Sequence, residues 1–288
     1  MYLQANLYPQ NSIKKIIKAK HLGFCKGAKE ALDVVMKYPK AYILGDVVHN
    51  KQVMSLLAKK NKKVIRTVTG KEDRPIIITA HGATVQQFEK LKRLNIEIVD
   101  TTCKMIKAIY RVGLKLESEG YKICILGDND HVEIKGIASR LKEPIIVDSL
   151  AQLSAIDHRV KLGVISQSTF SSDKFCTMSE LINNRFPRSK VVNTICEATR
   201  KRQQAAEEIA NQVDLMVVIG GEESSNTIKL HTISSRHTES HHIQEAHQLK
   251  SEWFFHKKLI GITAGASTPD WIINDVYKRI SELTQNMR

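Results

Sequence analysis

The stretch YILGDVVHN (residues 42–50) decides how the chain is read, because its pattern returns as CILGDNDHVE at 124–133 and as VVIGGEESSN at 217–226. Each time a short apolar, β-branched run ends on a glycine (Gly45, Gly127, Gly220) and passes into a polar loop. Runs of that length and composition predict buried strands rather than amphipathic helices. A second pattern alternates with the first: IIITAHGAT (76–84), LGVISQSTFS (162–171) and GITAGASTPD (261–270). Strict alternation of the two marks an internal repeat of three units.

Strands are expected at Ala41–Leu44, Ile76–Thr79, Lys122–Leu126, Val160–Ile165, Leu215–Ile219 and Leu259–Thr263. Helical periodicity follows several of them, as at Val85–Leu94 and Pro269–Arg279, with Pro269 suited to a first helical turn. Strands alternating with helices give the fold class α/β. Ligand sites in open α/β sheets lie beyond the carboxyl ends of the strands. Three similar units around a pseudo-threefold axis would therefore aim six loops at one centre.

The five cysteines are odd in number and widely spaced, which argues against a disulfide framework. Three of them keep register with the repeat. Cys25 lies 20 residues before Gly45, Cys103 lies 24 before Gly127, and Cys196 lies 24 before Gly220. A helix-like stretch follows each, at 26–36, 104–119 and 197–211. Helix starts favour a thiolate, or an anionic cluster that it ligates. Three thiolates leave one position open on a four-ligand object. Structural zinc sites are closed and usually pair their ligands in CxxC spacings, absent here. A catalytic zinc and a [4Fe–4S] cluster with one iron lacking a protein thiolate both remain open. Cys124 falls in an expected strand and Cys176 in an expected helix, and both are read as buried structural thiols.

The loops supply the rest of a candidate site. His49 and His81 follow strand ends in the first repeat, and His131 and Glu133 in the second. Ser224, Ser225 and Asn226 cluster in the third, with Ser267 in its second loop. A lone histidine is usually structural, and Ser-Ser-Asn is usually a turn. Together these imidazoles, hydroxyls and amide would suit an oxyanion or a diphosphate. Glu133 and Ser168 are the candidates for proton delivery. The histidine-rich stretch 231–247 matches no metal motif, is expected to join a helix to a strand, and receives no catalytic role.

Composition excludes little. The net charge of +14 (44 basic, 30 acidic residues) would suit nucleic acid, but it is spread along the chain without a recognition motif. A basic solvated surface, or a field for an anionic substrate or acidic partner, explains it as well. With no apolar run of 18 residues and no secretory pattern at the N-terminus, a cytoplasmic protein with no membrane partner is expected.

The motifs together resemble the 4-hydroxy-3-methylbut-2-enyl diphosphate reductase family of the methylerythritol phosphate route to isoprenoids. They are GFCKG (23–27), GDVVHN (45–50), TAHG (79–82), VDTTC (99–103), HVEIKG (131–136), SQST (166–169), ICEAT (195–199), ESSN (223–226) and TAGASTPDW (263–271), spanning about residues 21–276. Number, order and coverage make the resemblance specific. It implies three α/β domains (26–103, 104–193 and 194–288, joined by 1–25) in a trefoil around one [4Fe–4S] cluster per subunit. Cys25, Cys103 and Cys196 would hold that cluster, leaving one iron without a protein thiolate. The implied reaction is reductive dehydroxylation of the allylic diphosphate to isopentenyl and dimethylallyl diphosphate. Reduced ferredoxin or flavodoxin would be the electron donor. Substrate ligands map to His49, His81, His131, Ser168, Thr199, Ser224, Ser225, Asn226 and Ser267, and the proton donor to Glu133. A non-enzymatic iron–sulfur redox sensor on the same fold is the alternative. The chain departs from the family pattern with Ser168 for Thr, Val132 for Pro, Lys135 for an acidic residue, Lys104 for Pro and Lys201 for Asn. These departures remove neither a thiol nor the carboxylate, and they concentrate around Glu133.

Overall fold

Three four-stranded sheets, all their strands parallel, carry the described residues, 15–285. In this computed structural model the chain passes between two compact units at 24/25 and again at 200/201. β1 (Lys15–Lys18) comes first. Residues 25–200 then begin with α1 (Lys26–Lys37), β2 (Ala41–Leu44), α2 (Lys51–Lys59), β3 (Lys62–Ile65), β4 (Ile76–Ile78), α3 (Val85–Arg93) and β5 (Ile98–Asp100). They continue with α4 (Lys104–Ser118), β6 (Lys122–Leu126), α5 (Val132–Ala138), β7 (Ile145–Val147), α6 (Leu150–Ser154), β8 (Leu162–Ser166), α7 (Ser172–Arg185) and β9 (Lys190–Val191). After α8 (Glu197–Ala210) come β10 (Leu215–Ile219), α9 (Ser225–Ser234), β11 (Glu239–Ile243), β12 (Leu259–Ala264) and α10 (Asp270–Gln285).

The sheet orders are β3-β2-β4-β5, β7-β6-β8-β9 and β11-β10-β12-β1. One strand order thus occurs three times, and β1, from the start of the chain, completes the last sheet. The expectation of three similar α/β units is borne out. Each expected strand is one of the two central strands of a sheet, with ends differing by a residue or two. Centrality explains their legibility. β4, β8 and β10 are buried along their whole length, so their residues read as continuous apolar runs rather than an alternation.

Strand order reverses between the two central strands of each sheet, and a crevice opens beyond the carboxyl ends at such a switch point. The loops after β2 and β4 carry His49 and His81. Those after β6 and β8 carry His131 and Ser168, and those after β10 and β12 carry Ser224 and Ser267. Each fourth strand, β1, β5 or β9, is the one whose carboxyl end leads to Cys25, Cys103 or Cys196.

Helices cover the sheets by apolar stripes. On α1, Ala28, Ala31 and Val35 are buried, and on α7 Phe175, Met178 and Ile182. Cys176 sits beside that last stripe, not on it, and is exposed, which corrects the expectation of a buried thiol. Cys124, in β6, is fully buried, and burial pushes its thiol up to about 12. The histidine-rich stretch is also not a plain connector. It ends α9 and forms the edge strand β11, where His241 stacks on Trp253 at 3.8 Å. Among the described residues, no helix is long and apolar enough to cross a membrane.

Candidate functional site

The unit of residues 25–200 holds all three repeat cysteines. Cys25 is the N-cap of α1, and its Sγ accepts the Ala28 N–H at 3.3 Å. Cys103 is the N-cap of α4, near the N–H groups of Met105 and Ile106 but without a capping hydrogen bond from them. Cys196 immediately precedes α8, and its carbonyl accepts from Thr199 and Arg200 at 2.8 and 3.0 Å. Burial pushes the Cys103 thiol up, the charges of Cys25 and Cys196 add to this, and the two N–H groups oppose it. Sulfurs that feel one another through space belong to one locale. Gly27 shows how closely they are packed, since a Cβ there would lie 2.7 Å from Cys103 Sγ. Only glycine lets the first turn of α1 pass the second thiol.

Three imidazoles form a triangle in the same unit. His49 and His81 ring centroids are 4.8 Å apart, with His131 at 5.7 and 5.8 Å from them. Burial of the ring first, then the charges of His49 and His131, hold His81 well below the usual imidazole range, against a contact with the Asp46 backbone. His81 is thus neutral near pH 7. Its Nδ1 is covered and has no hydrogen-bond partner, although the residue keeps some exposed surface. A neutral ring that can turn an N–H outward is ready to donate to an anion.

Glu133 is 1% exposed, and Ser168 holds both its oxygens. The Ser168 N–H donates to Oε1 at 2.6 Å and the Ser168 Oγ to Oε2 at 2.7 Å. The Ser168 carbonyl in turn accepts the Cys196 N–H at 2.9 Å. One residue therefore ties a buried carboxylate to a cysteine. Glu133 lies in the first turn of α5, not in a loop, and the N-cap His131 accepts its N–H through Nδ1 at 3.2 Å. The substitutions Val132 and Lys135 both fall within this helix, on its exposed side. Thr199 is 4% exposed, in the first turn of α8.

Sequence reasoning missed what locks these loops together. Arg140 Nη1 bonds the Ala83 carbonyl at 2.9 Å and also the Gly136 carbonyl, joining the His81 loop to the Glu133 helix. Its guanidinium lies 3.9 Å from the ring centroid of Tyr110, whose hydroxyl is buried without a partner against Gly82 and Gly136. Burial pushes that phenol up to about 12. Tyr110 lies in α4 and Arg140 in the turn after α5, neither in the loops that the repeat aligns, so only three-dimensional packing could show them.

The unit formed by the chain's two ends holds the remaining residues. Ser224 caps α9 and its Oγ accepts the Thr227 N–H at 3.4 Å, while Lys229 Nζ donates to Ser225 Oγ at 2.8 Å. Asn226 is 3% exposed, with Oδ1 and Nδ2 both covered and without a protein partner. Ser267, in the loop after β12, is 8% exposed. The two loops touch through glycines: a Cβ on Gly265 would collide with Thr227 Oγ1, as would one on Gly220. Beyond β10, His242 Nε2 and the Gly220 carbonyl are 2.9 Å apart, so β11 braces the strand end that leads to Ser224.

Comparison with known proteins places this geometry. The family model described as LytB protein matches residues 16–281. A 4-hydroxy-3-methylbut-2-enyl diphosphate reductase of Campylobacter hominis is 36% identical over 93% of this chain and 99% of its own length. One of Helicobacter pylori is 35% identical, covering 93% and 100%. A solved structure of (E)-4-hydroxy-3-methyl-but-2-enyl diphosphate reductase, the terminal enzyme of the non-mevalonate pathway, aligns at TM-score 0.69 and 35% identity over 93% of this chain and 99% of that one. The E-1-hydroxy-2-methyl-but-2-enyl-4-diphosphate reductase of Plasmodium falciparum aligns at TM-score 0.87 and 27% identity over 94% and 88%.

Proposed function

The chain belongs to the LytB protein family, and we propose that it is a 4-hydroxy-3-methylbut-2-enyl diphosphate reductase, an oxidoreductase of the methylerythritol phosphate pathway. The allylic alcohol takes up two electrons and two protons, its C–O bond breaks, and isopentenyl or dimethylallyl diphosphate leaves with one water. The observation that carries this reading is the Glu133–Ser168–Cys196 chain, a covered carboxylate held by two donors of a residue bonded to a thiol-bearing loop.

Cys25, Cys103 and Cys196 would hold a [4Fe–4S] cluster, one per chain, with one iron not bound by a protein thiolate. The sulfur set supports this: three soft donors at three helix N-termini, mutually repulsive as thiolates, suit a cationic iron core. When bound, the cluster would deliver electrons and offer the free iron to the substrate's hydroxyl. Reduced ferredoxin or flavodoxin fits as donor.

The protein's own groups do the rest. His49, His81 and His131 present imidazole N–H groups, and Ser224, Ser225, Asn226 and Ser267 present hydroxyls and an amide, all assigned to the substrate and chiefly to its diphosphate. Such donors stabilise charge best when held in place before the substrate arrives. Thr199 is assigned to the pocket wall. Glu133 delivers a proton to the departing hydroxyl or the allylic carbon, and the Ser168 hydroxyl holds it in reach. The three-domain division, 26–103, 104–193 and 194–288 closed by 1–25, belongs to the same reading.

Anaerobic purification tests it. Brown protein with about four irons and four sulfides per chain, turning over the allylic diphosphate with a strong chemical reductant, is the expected result. Loaded protein that leaves the substrate untouched would point instead to a redox sensor, and zinc in place of iron would overturn the cluster.

A further inference from the structure

Four cations converge at the end of the first sheet opposite to His49 and His81. Lys40 precedes β2, Lys62 opens β3, and Arg74 stands two residues before β4. These strands are parallel neighbours, with Ala41 opposite Lys62 and Tyr42 opposite Ile76, so their amino ends share one edge. Lys40, Lys62, Lys63 and Arg74, with Asn61 and Ala58, line a depression of about 540 Å³ there. No carboxylate is among the lining residues.

Lys62 distinguishes this depression from a run of solvated lysines. It is 5% exposed, and its ammonium has no hydrogen bond or ion pair among the described residues. The stem is packed while the ammonium still reaches solvent, so a cation with no counter-charge of its own is held ready for an anion that enters the depression. Edge-strand lysines often guard against pairing with another chain, but that task needs an exposed side chain. The neighbouring cations are held in place. Lys63 and Arg74 each stand 5.7 Å from the ring centroid of Tyr42. Of the nearby acids, Asp73 pairs with Arg74 at 3.6 Å and accepts the Tyr42 hydroxyl. Glu72 is turned into its own loop, accepting from Thr69 and Gly70. Four positive groups thus face one engaged carboxylate. Burial and the charge of Lys60 lower the Lys62 pKa, which agrees with a missing counter-ion.

We propose that this depression is a second anion site, separate from the candidate active site, that takes a small solute carrying two or more phosphoryl charges. Lys62 supplies the central contact, and Lys40, Lys63 and Arg74 line the same depression. The site lies at the amino ends of β2, β3 and β4, whereas the imidazoles follow the carboxyl ends of β2 and β4, so one ligand cannot occupy both.

Inorganic diphosphate is the probe, on the full chain. Acylation of lysines by an amine-reactive ester, read by mass spectrometry, should slow several-fold at Lys62 and Lys63 when diphosphate saturates. Sodium chloride at equal ionic strength should have no such effect, and Lys250, in the other unit, should not respond. Calorimetry should find one fewer diphosphate site, or at least tenfold weaker binding at it, in Lys62→Met and in Arg74→Gln. An unchanged Lys62 labelling rate, or equal protection by chloride, overturns the proposal. The footprint reads the wild-type chain, so it decides even if Lys62→Met fails to fold. It does not depend on whether the reductase reading stands.

Discussion

Replacing Asn226 by Leu should make the protein more stable and a poorer enzyme at once. Asn226 is 3% exposed, and neither its Oδ1 nor its Nδ2 has a protein partner. An unsatisfied buried polar group costs about 1–3 kcal/mol. Leucine branches at Cγ as asparagine does, carries no polar atom, and is the better helix former by roughly 0.5 kcal/mol in the first turn of α9. A net gain of about 1–3 kcal/mol would raise Tm by a few degrees, at roughly 2–4 °C per kcal/mol for a chain of this size class. If the amide is instead paid back by the diphosphate, its loss removes one or two hydrogen bonds to a charged group, each worth about 1.5–3 kcal/mol. At 1.4 kcal/mol per factor of ten, KM should rise roughly tenfold or more per bond. Circular dichroism melts of matched, cluster-loaded samples and anaerobic steady-state kinetics read the two effects. A lower Tm with an unchanged KM would refute the reasoning, because it would mean that the amide is serving the fold and not a ligand.

Ser168→Ala should cut kcat roughly ten- to a hundredfold through loss of one charge-assisted hydrogen bond to Glu133, while Ser168→Thr should retain activity; Ala within twofold of wild type would remove the positioning role. Gly27→Ala should not weaken α1, since Ala is the better helix former by about 0.5–1 kcal/mol. It should nevertheless lower the iron and sulfide count, because its Cβ would press on Cys103 Sγ, and full occupancy would contradict that. His81 is held neutral well below 6.5, so as pH falls through about 6.5 the unfolded chain takes up a proton that the folded one refuses. Stability then declines by up to about 1.4 kcal/mol per pH unit below that point and is unaffected above it. Urea unfolding of wild type and His81→Asn between about pH 7 and pH 5 should show the shallower slope in the variant, and equal slopes would count against a neutral His81.

The central strands were readable because a strand buried on both faces has to be apolar throughout, and three pairs of them repeat. The edge strands were not. β1 reads KIIK, β3 KKVI and β11 ESHHI, half-wet sequences of 4 or 5 residues that carry charges or imidazoles. An edge strand exposes one side, so its sequence keeps a strand's geometry without a strand's apolar signature. Yet β1, β5 and β9 are the strands that lead to the three cysteines. The register of cysteine to glycine was visible, and the element responsible for it was not. Cys176 was misread for a related reason: a helix shows where its buried stripe runs only when the partner surface is known, and one residue off that stripe is enough to expose it.

In the site, residue types were legible and their couplings were not. Glu133 and Ser168 are 35 residues apart, and the bond that joins them uses a backbone N–H as well as a hydroxyl. A backbone donor leaves no trace in residue identity. That bears on the substitution of Ser for Thr at 168, one of the chain's departures from the family pattern. The hydroxyl is retained, and the N–H holds the other carboxylate oxygen whatever the side chain, so the lost methyl removes neither contact. The carbonyl of the same residue carries the Cys196 N–H. Any change that moves the 166–169 loop must therefore move the Glu133 carboxylate and the Cys196 backbone together. Such a change should lower turnover and cluster content in step, whereas Glu133→Gln, which keeps the shape and an acceptor for the Ser168 N–H while the hydroxyl can turn to accept from the new amide, should lower turnover alone.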